Sequence, residues 1–220
     1  ALPPASASGW SIVGSDRDAP ASPETEVRSE GRVARRRLDI APGGLDITRI
    51  DGLPPSTVTP TDPDLLARIA REVEIKTEGF ASRADADHFR DGFVWPLDSF
   101  RVSSRWGAQR VLNGTPARPH YGIDLAAPAG TVIRAPAAGR VTLAEPDLHF
   151  EGGLTLIDHG QGLITAYLHQ SRIDVRAGQD VRRGDSLGRV GMSGRATGPH
   201  LCWRMKWRNR NLDPSLLTRT

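Results

Sequence analysis

Two metal-ligating side chains occur four residues apart in a segment that favours extended chain. His120 and Asp124 flank Tyr121-Gly122-Ile123, whose glycine and β-branched isoleucine are poor helix formers. Residues i, i+2 and i+4 of a strand share one face, so both ligands would project above the small Gly122, with Tyr121 and Ile123 on the opposite face. An imidazole and a carboxylate placed in this way predict half of a zinc site.

The segment from residue 198 to residue 207 supplies the other half, because its apolar and polar residues alternate almost without interruption. The apolar set, which we expect to lie in the core, is Leu201, Trp203, Met205 and Trp207. The polar set on the opposite face is His200, Cys202, Arg204 and Lys206. An imidazole and a thiol two residues apart therefore project together into the groove that the polar face lines.

A third segment, Tyr167-Leu168-His169, stands at the end of an apolar strand. Strand alternation predicts that Tyr167 and His169 share one face while Leu168 faces the core. A histidine at this place could act as a general acid or a general base.

Zinc accepts nitrogen from histidine, oxygen from aspartate and sulfur from cysteine, and catalytic zinc sites combine three protein ligands with one water. We expect His120, Asp124 and Cys202 to hold one Zn²⁺ per chain. The pKa of a water on zinc falls towards about 7, so it can attack a carbonyl at neutral pH. His169 and His200 would remain to transfer protons and to stabilise the oxyanion that this attack forms.

These residues lie in a region of short β-prone runs that glycine and proline bound. After Gly92 the runs are 131–134, 140–144, 154–158 and 163–168. They predict a mainly β, antiparallel catalytic domain over residues 92–220, without a helix of convincing length. Before it, β-prone pieces and turns predict a small β unit over residues 10–53, preceded by a flexible lead-in over residues 1–9.

A helical connector is expected between these two parts, over residues 54–91. Asp62, followed by a proline, suits the N-cap of a helix. Apolar residues then recur at helical spacing and predict a helix over residues 63–78, with Gly79 as its stop. A weaker helical pattern follows over residues 82–89.

The composition excludes several classes of protein. The chain has 220 residues and a net charge of +3, and its 29 basic residues are 27 arginines and 2 lysines. They are scattered apart from residues 35–37, so we expect no nucleic-acid partner. No run approaches the roughly 18 apolar residues of a transmembrane segment. The first residues lack the profile of a signal peptide, so we expect none within this chain.

Further polar residues are candidates for substrate binding. Arg204 and Lys206 share the face of the predicted ligands and could bind a carboxylate, although solvation of an exposed strand is the alternative. Arg110 and Asn113, upstream of the first ligand, could line the same groove. His159 precedes a Gly-x-Gly turn and is expected to be a structural histidine.

Over roughly residues 92–211 the chain resembles the lysostaphin-type, or LytM-like, zinc endopeptidases. The motifs are HYGID at 120–124, APAGT at 127–131, DHGQGL at 158–163, YLH at 167–169 and GRVGMSGRATGPH at 188–200. Any one of them would be a weak signal, whereas their order and spacing together are specific. The resemblance implies zinc ligands at His120, Asp124 and the second position of a His-x-His pair. It implies catalytic histidines at His169 and His200.

The second position of that His-x-His pair is Cys202 in this chain. Cysteine is still a competent zinc ligand, and the metal would deprotonate its thiol. Two alternatives remain open: a site that is empty or purely structural, and a nucleophilic thiol paired with His200.

The resemblance implies a zinc-dependent endopeptidase that hydrolyses peptide cross-links of peptidoglycan through a metal-activated water, in the periplasm or cell envelope. The alternative is a degenerate, non-catalytic module of the same type. Such a module would bind peptidoglycan or activate a cell-wall amidase or divisome partner. The change at Cys202 supports this alternative, whereas the other site residues favour the enzyme.

Overall fold

Short β-strands dominate the structure, as the runs between glycine and proline predict, and the expected mainly antiparallel β fold is confirmed. The computed structural model describes residues 14–19, 22–29, 32–40 and 44–218. The flexible lead-in expected over residues 1–9 lies outside these described residues. Within them, no helix combines the length and the apolar character that crossing a bilayer requires.

The elements of the described residues follow in chain order. The first strands are β1 (Glu24–Ser29), β2 (Arg32–Arg37) and β3 (Ile47–Ile50), followed by the helices α1 (Pro55–Val58) and α2 (Pro63–Ala81). Then come β4 (Arg101–Ser104), β5 (Gln109–Leu112), β6 (Thr115–Pro116), β7 (Ile123–Ala126), β8 (Val132–Arg134), β9 (Gly139–Leu148) and β10 (Gly152–Asp158). The last are β11 (Leu163–Ile173), β12 (Asp180–Val181), β13 (Ser186–Val190), β14 (His200–Trp207), β15 (Arg210–Leu212) and a 3-10 helix (Pro214–Leu217).

One large antiparallel sheet carries the residues of chemical interest. Its main path runs β12-β9-β10-β11-β14-β7-β4, with β13 beside β11, β8 beside β13 and β15 beside β14. β1 and β2 form a separate antiparallel pair. β3 joins β5 and β6 in a third sheet, in which it runs parallel to β5. Residues 47–50 are therefore attached to a strand that lies after Gly92 in the chain.

The large sheet has an apolar core on each face. Alternation along β14 places Leu201, Trp203 and Met205 in the larger core, as predicted. The buried members of the smaller core on the other face are Leu143, Leu148, Leu154, Leu156, Ile164, Ala166, Leu168 and Cys202. Phe80 of α2 packs on this smaller core, so the helix and Cys202 lie on the same face of the sheet.

Helix α2 begins as predicted and ends later than predicted. Asp62 is its N-cap, and the carboxylate accepts a hydrogen bond from the Leu65 amide nitrogen at 2.8 Å. The predicted stop at Gly79 is wrong, because the helix continues to Ala81 and Gly79 is buried within its last turn. A Cβ on Gly79 would lie 2.9 Å from Leu156 Cδ1, so the glycine lets the helix approach the sheet closely.

The weaker helical pattern over residues 82–89 does not form a helix. Ser82 Oγ and the Ala84 amide nitrogen instead donate hydrogen bonds to Asp158 Oδ2, at 2.6 Å and 2.9 Å. A carboxylate that accepts from the backbone in this way competes with helical hydrogen bonding. These contacts tie the segment after α2 to the end of β10.

Candidate metal centre

Two paired strands bring three metal-ligating side chains together. Asp124 lies on β7 and Cys202 lies on β14, and the antiparallel register places these two residues directly opposite each other. His120 stands just before β7, and its imidazole reaches the same group. The alternation predicted for the two segments thus produces the convergence that the sequence indicated.

The nitrogen, oxygen and sulfur donors of His120, Asp124 and Cys202 lie within 4.8 Å of one another, and all three residues are buried. His120 Nε2 is 3.0 Å from Asp124 Oδ1 and 3.3 Å from Cys202 Sγ. Asp124 Oδ1 is buried and accepts no well-formed hydrogen bond from the described residues. A buried carboxylate oxygen in this position fits a cation, and a nitrogen, oxygen and sulfur donor set suits zinc.

Neighbouring side chains orient these donors. Arg110 Nη2 donates to Asp124 Oδ2 at 2.7 Å, and Arg204 Nε donates to Cys202 Sγ at 3.4 Å. Ser104 Oγ lies 3.2 Å from the Nδ1 atom of the histidine ligand. Arg110 and Arg204, expected as groove residues, therefore contact the candidate ligands themselves, and contacts of this kind fix the geometry of a metal site.

Gly122 leaves the room that the ligands need. A Cβ on this residue would lie 2.9 Å from Cys202 Sγ. Tyr121 departs from the predicted alternation, because its ring lies 6.4 Å from that of Trp106 and lines a cleft instead of facing the core. Strand β7 begins two residues later, so strict alternation does not extend back to this tyrosine.

Two further imidazoles lie beside the three donors. The ring centroids of His169 and His200 are 4.7 Å apart, and His200 Nε2 is 3.7 Å from Asp124 Oδ1. His169 Nδ1 is 2.8 Å from the Ser193 carbonyl oxygen. His200 Nδ1 is likewise 2.8 Å from the Gly198 carbonyl oxygen. A carbonyl oxygen can only accept, so the Nδ1 atom of each ring carries a proton and donates it to that carbonyl.

The backbone at His169 explains how its ring reaches this group. Its φ of 66° lies in the left-handed region, which residues other than glycine seldom adopt. The prediction that Tyr167 and His169 share a face is wrong. Tyr167 lies in the larger core with Trp203, whereas Leu168 lies in the smaller core with Cys202. The left-handed residue interrupts strand alternation and turns the imidazole towards the metal-ligating face.

Burial shapes the protonation of the centre. It lowers the pKa of His169 to about 3, and it also lowers the pKa of His120. Burial raises the pKa of the Cys202 thiol to about 12. Burial alone would raise the pKa of Asp124, but its attraction to His120 and Arg110 outweighs that effect and lowers it. The centre therefore offers neutral imidazoles and an ionised carboxylate, the forms in which these groups bind metals.

The remaining sequence candidates are used in different ways. Asn113 bonds the Leu53 backbone, accepting from its amide nitrogen at 3.1 Å and donating to its carbonyl oxygen at 2.8 Å. Lys206 extends over Phe80, with Nζ 4.6 Å from the ring centroid. His159 is buried and contacts a backbone carbonyl oxygen and a threonine hydroxyl at 2.6 Å and 2.7 Å, which agrees with a structural histidine.

An earlier segment of the chain covers one side of the metal centre. Ile50 and Leu53 line a cavity of about 50 Å³ together with Asp124 and His200. We name residues 50–57 the covering segment. Ile50 and Leu53 leave only this small cavity beside Asp124 and His200, so they limit access to the candidate centre from this side.

Contacts on both sides hold the covering segment in place. β3 pairs with β5 just before it, and Asn113 clamps Leu53. Arg195 Nη1 donates to the Thr57 carbonyl oxygen at 3.1 Å. These partners are 60 and 138 residues apart in the chain, so no local pattern in the sequence could have indicated the cover.

A larger cleft of about 720 Å³ opens on the other side of the centre, and we name it the α2 cleft. Lys76 and Phe80 of α2 line it on one side, and Arg204 and Lys206 of β14 line it on the other. His120, a candidate ligand, also lines it, so the cleft leads to the candidate centre. The sequence predicted both elements but not that they face each other.

Comparison with known proteins identifies relatives of this arrangement. Residues 118–214 match peptidase family M23. The peptidoglycan DD-endopeptidase ShyA of Vibrio cholerae is 38% identical over 121 residues, which are 54% of this chain and 28% of that protein. The crystal structure of a Pseudomonas aeruginosa protein designated peptidase M23 superposes with a TM-score of 0.72 at 33% identity, covering 93% of this chain and 77% of that one. A zinc containing peptidase from Vibrio cholerae superposes with a TM-score of 0.53 at 31% identity, covering 56% of this chain and 39% of that one.

The chain spans about a quarter of the length of the curated relatives that it matches, 28% and 24% for two of them. The Pseudomonas structure, in contrast, matches over most of both chains. The segment that matches the family contains all three candidate ligands and both imidazoles of the centre. The resemblance inferred from the sequence is confirmed, and the chain belongs to peptidase family M23.

Proposed function

We propose that this chain is a zinc-dependent endopeptidase that cleaves peptide cross-links of peptidoglycan in the periplasm or cell envelope. The observation that carries the proposal is the convergence of three buried metal-ligating atoms beside two imidazoles whose Nδ1 atoms contact backbone carbonyl oxygens. Two relatives support it by their names, one a peptidoglycan DD-endopeptidase and the other a zinc containing peptidase.

His120, Asp124 and Cys202 would hold the ion. When bound, zinc supplies a Lewis acid that polarises the scissile carbonyl and lowers the pKa of a water beside it. Arg110 and Arg204 would keep the carboxylate and the thiolate oriented, since each donates a hydrogen bond to one of them. The buried thiol must lose its proton when the metal binds, so zinc affinity is expected to fall as the pH falls.

His169 and His200 would move protons and stabilise developing charge. Burial keeps His169 neutral at pH 7, so its Nε2 atom can accept a proton from the attacking water and pass it to the leaving amine. His200 Nε2 lies 3.7 Å from Asp124 Oδ1. With a proton on Nε2, the ring would donate a hydrogen bond to an oxyanion that forms beside the candidate ligands. The two backbone carbonyls that bind the Nδ1 atoms fix both rings in the orientation that this work requires.

The ligand role suits Cys202 better than the role of a nucleophile. Its side chain is 1% exposed, and a substrate carbonyl would have to reach it from within the small core. A nucleophilic cysteine needs access and a thiolate of low pKa, whereas burial raises the pKa here. The sulfur faces the imidazole of His120 at 3.3 Å, as two ligands of one ion would.

The test compares the wild-type chain with Asp124→Ala, and Asp180→Ala, an exposed aspartate, is the matched control. Elemental analysis reports zinc per chain, and chromatography reports the muropeptides released from purified sacculi. We expect zinc and digestion for the wild type and the control, and neither for Asp124→Ala. Wild-type protein that leaves sacculi intact after zinc loading would favour the non-catalytic module, which binds peptidoglycan or activates a cell-wall amidase.

A further inference from the structure

Both lysines of the chain line the α2 cleft. Lys76 and Lys206 stand among 27 arginines, so lysine is rare here, and yet the helix and the strand each place one in the same cleft. Phe80 lies between them in the fold, because Lys206 Nζ sits 4.6 Å from its ring centroid and Lys76 is one turn earlier on α2. Two elements far apart in sequence thus provide ammonium groups to one cleft.

The cleft carries a large excess of positive charge. Eight lysine and arginine side chains line it, against one carboxylate, that of Glu151. Lys76 Nζ pairs with Glu151 at 2.7 Å. Among the described residues, no carboxylate forms an ion pair with Arg118, Arg204 or Lys206. A concave site lined by one sign of charge concentrates ligands of the opposite sign.

Lys206 is the cation in this cleft that an anionic ligand would stabilise most. Burial, to which Arg204 adds, lowers the pKa of its ammonium group, and the attraction of Asp16 offsets only part of this effect. The charged form is therefore less stable than it is in water, and a ligand carboxylate beside it would restore the lost stabilisation. No carboxylate of the described residues forms a salt bridge with Lys206, so substitution of this residue breaks no ion pair within the protein.

The position of Lys206 relates the cleft to the metal centre. Cys202 and Lys206 are four residues apart on β14 and share one face of the sheet. A strand rises about 3.3 Å per residue, so they are separated by roughly 13 Å. An extended peptide with its reacting bond at the centre would reach Lys206 with a group about four residues away.

We propose that the α2 cleft is a carboxylate subsite, in which Lys206, with Arg204 and Arg118 beside it, binds a free carboxylate of an acidic peptide about four residues from the bond at the metal centre. The subsite rests on the proposed function for the identity of the ligand as a peptide. It gives the centre a preference for peptides with free carboxylates over peptides whose carboxylates are amidated.

The experiment uses two fluorescent synthetic peptides of the same length and sequence, one with free carboxylates and one in which each carboxylate is a carboxamide. Anisotropy gives the Kd of each peptide for the full chain as purified. The variants are Lys206→Gln, Lys206→Arg and Arg118→Gln, with Arg140→Gln, an exposed arginine outside the cleft, as the control. Thermal unfolding of each variant confirms that it is folded.

We expect the wild type and Arg140→Gln to bind the carboxylate peptide about tenfold more tightly than the carboxamide peptide, as one charged hydrogen bond allows. This ratio should fall towards one in Lys206→Gln and persist in Lys206→Arg. Arg118 is exposed, so Arg118→Gln will fold and should reduce the ratio by a smaller factor. Equal binding of the two peptides by the wild type, or an unchanged ratio in both Gln variants, would overturn the subsite.

Cleavage of the same peptides by the zinc-loaded chain separates this proposal from the proposed function. A wild type that cleaves neither peptide but keeps a ratio dependent on Lys206 has the subsite without the endopeptidase. A wild type that cleaves both peptides with the same KM is an endopeptidase without the subsite. The proposal is supported when the carboxylate peptide has the lower KM and Lys206→Gln removes the difference.

Discussion

The two sides of the metal centre differ in chemistry and in the way they are held. On one side, Ile50 and Leu53 of the covering segment leave a cavity of about 50 Å³, which Arg110 and Arg195 also line. On the other side, the α2 cleft has about 720 Å³ and a cationic lining that includes Lys206. The small cavity has room for little more than a water molecule, whereas the larger cleft can hold a ligand and its positive charge attracts anionic groups.

Both sides depend on chain outside the segment that matches the family. The covering segment and α2 lie within residues 50–81, whereas the match spans residues 118–214. The family segment contains the candidate ligands and both imidazoles, whereas the earlier residues line the cavity and the cleft beside them. The match to the family therefore covers the candidate centre but only part of the surroundings that would control access to it.

The largest effect should come from substitution of His169. The cavity and the cleft should stay intact, whereas hydrolysis should be lost. We expect His169→Ala to lower hydrolysis of sacculi by about 10²- to 10⁴-fold, the range for loss of a general acid or base. Zinc content should remain that of the wild type, because the ring is not among the three ligands. Retained hydrolysis would contradict the role, and His88→Ala, an exposed histidine, is the control.

A second prediction concerns Gly122, which packs against Cys202 and Arg204. A Cβ on Gly122 would lie 2.7 Å from Arg204 Cγ and 2.9 Å from Cys202 Sγ, so Gly122→Ala must displace the cysteine or the arginine that orients it. We expect zinc affinity to fall by about 10- to 100-fold, as when the support of a ligand is lost. Competition with a chelator measures the zinc affinity. Gly44→Ala, which meets nothing within 4 Å, should bind zinc as the wild type does.

A third prediction tests whether the covering segment limits access. Leu53→Asp places a carboxylate at a position that is 6% exposed, which should destabilise the covered arrangement and raise peptide cleavage by about tenfold. Ile47→Asp is the matched control, since Ile47 is 58% exposed on the preceding strand. Initial rates with a synthetic peptide give the readout. An unchanged rate would mean that the ligands are reached from the α2 cleft alone.

Local patterns predicted the centre better than its surroundings. Strict alternation along β14 placed Cys202 and His200 on the correct face, and the spacing of His120 and Asp124 did the same for the other half. Alternation failed at His169, where one left-handed residue interrupts it. A positive φ at a residue other than glycine leaves no mark in a hydrophobicity pattern.

Contacts between distant segments account for the rest. Asn113 was expected in the groove, but it clamps Leu53, a residue 60 positions away. Gly79 was expected to end a helix, but it allows α2 to approach Leu156 of the sheet. In both cases the residue type indicated a special role, but the sequence did not indicate the contact partner. Contacts over such separations depend on the whole fold.

The smallest effect at neutral pH concerns His159, a buried histidine outside the candidate centre. It affects the stability of the fold and not access to the centre. Burial lowers its pKa to about 4, below the value of about 6.5 expected in the unfolded chain. The unfolded state therefore binds the additional proton between these values. The stability that this histidine contributes is present above pH 6.5 and is lost as the pH falls towards 4.

We expect the free energy of unfolding of the wild type to fall by about 2 kcal/mol between pH 6.5 and pH 4.5 on account of this group. His159→Gln should lack this share of the pH dependence, whatever its stability at pH 7. Urea unfolding across the range measures the slope. His149→Gln is the control, since His88 itself contributes to the lowered pKa of His159. Equal slopes in His159→Gln and the wild type would show that the acid sensitivity arises at the metal centre, where His169 titrates in the same direction.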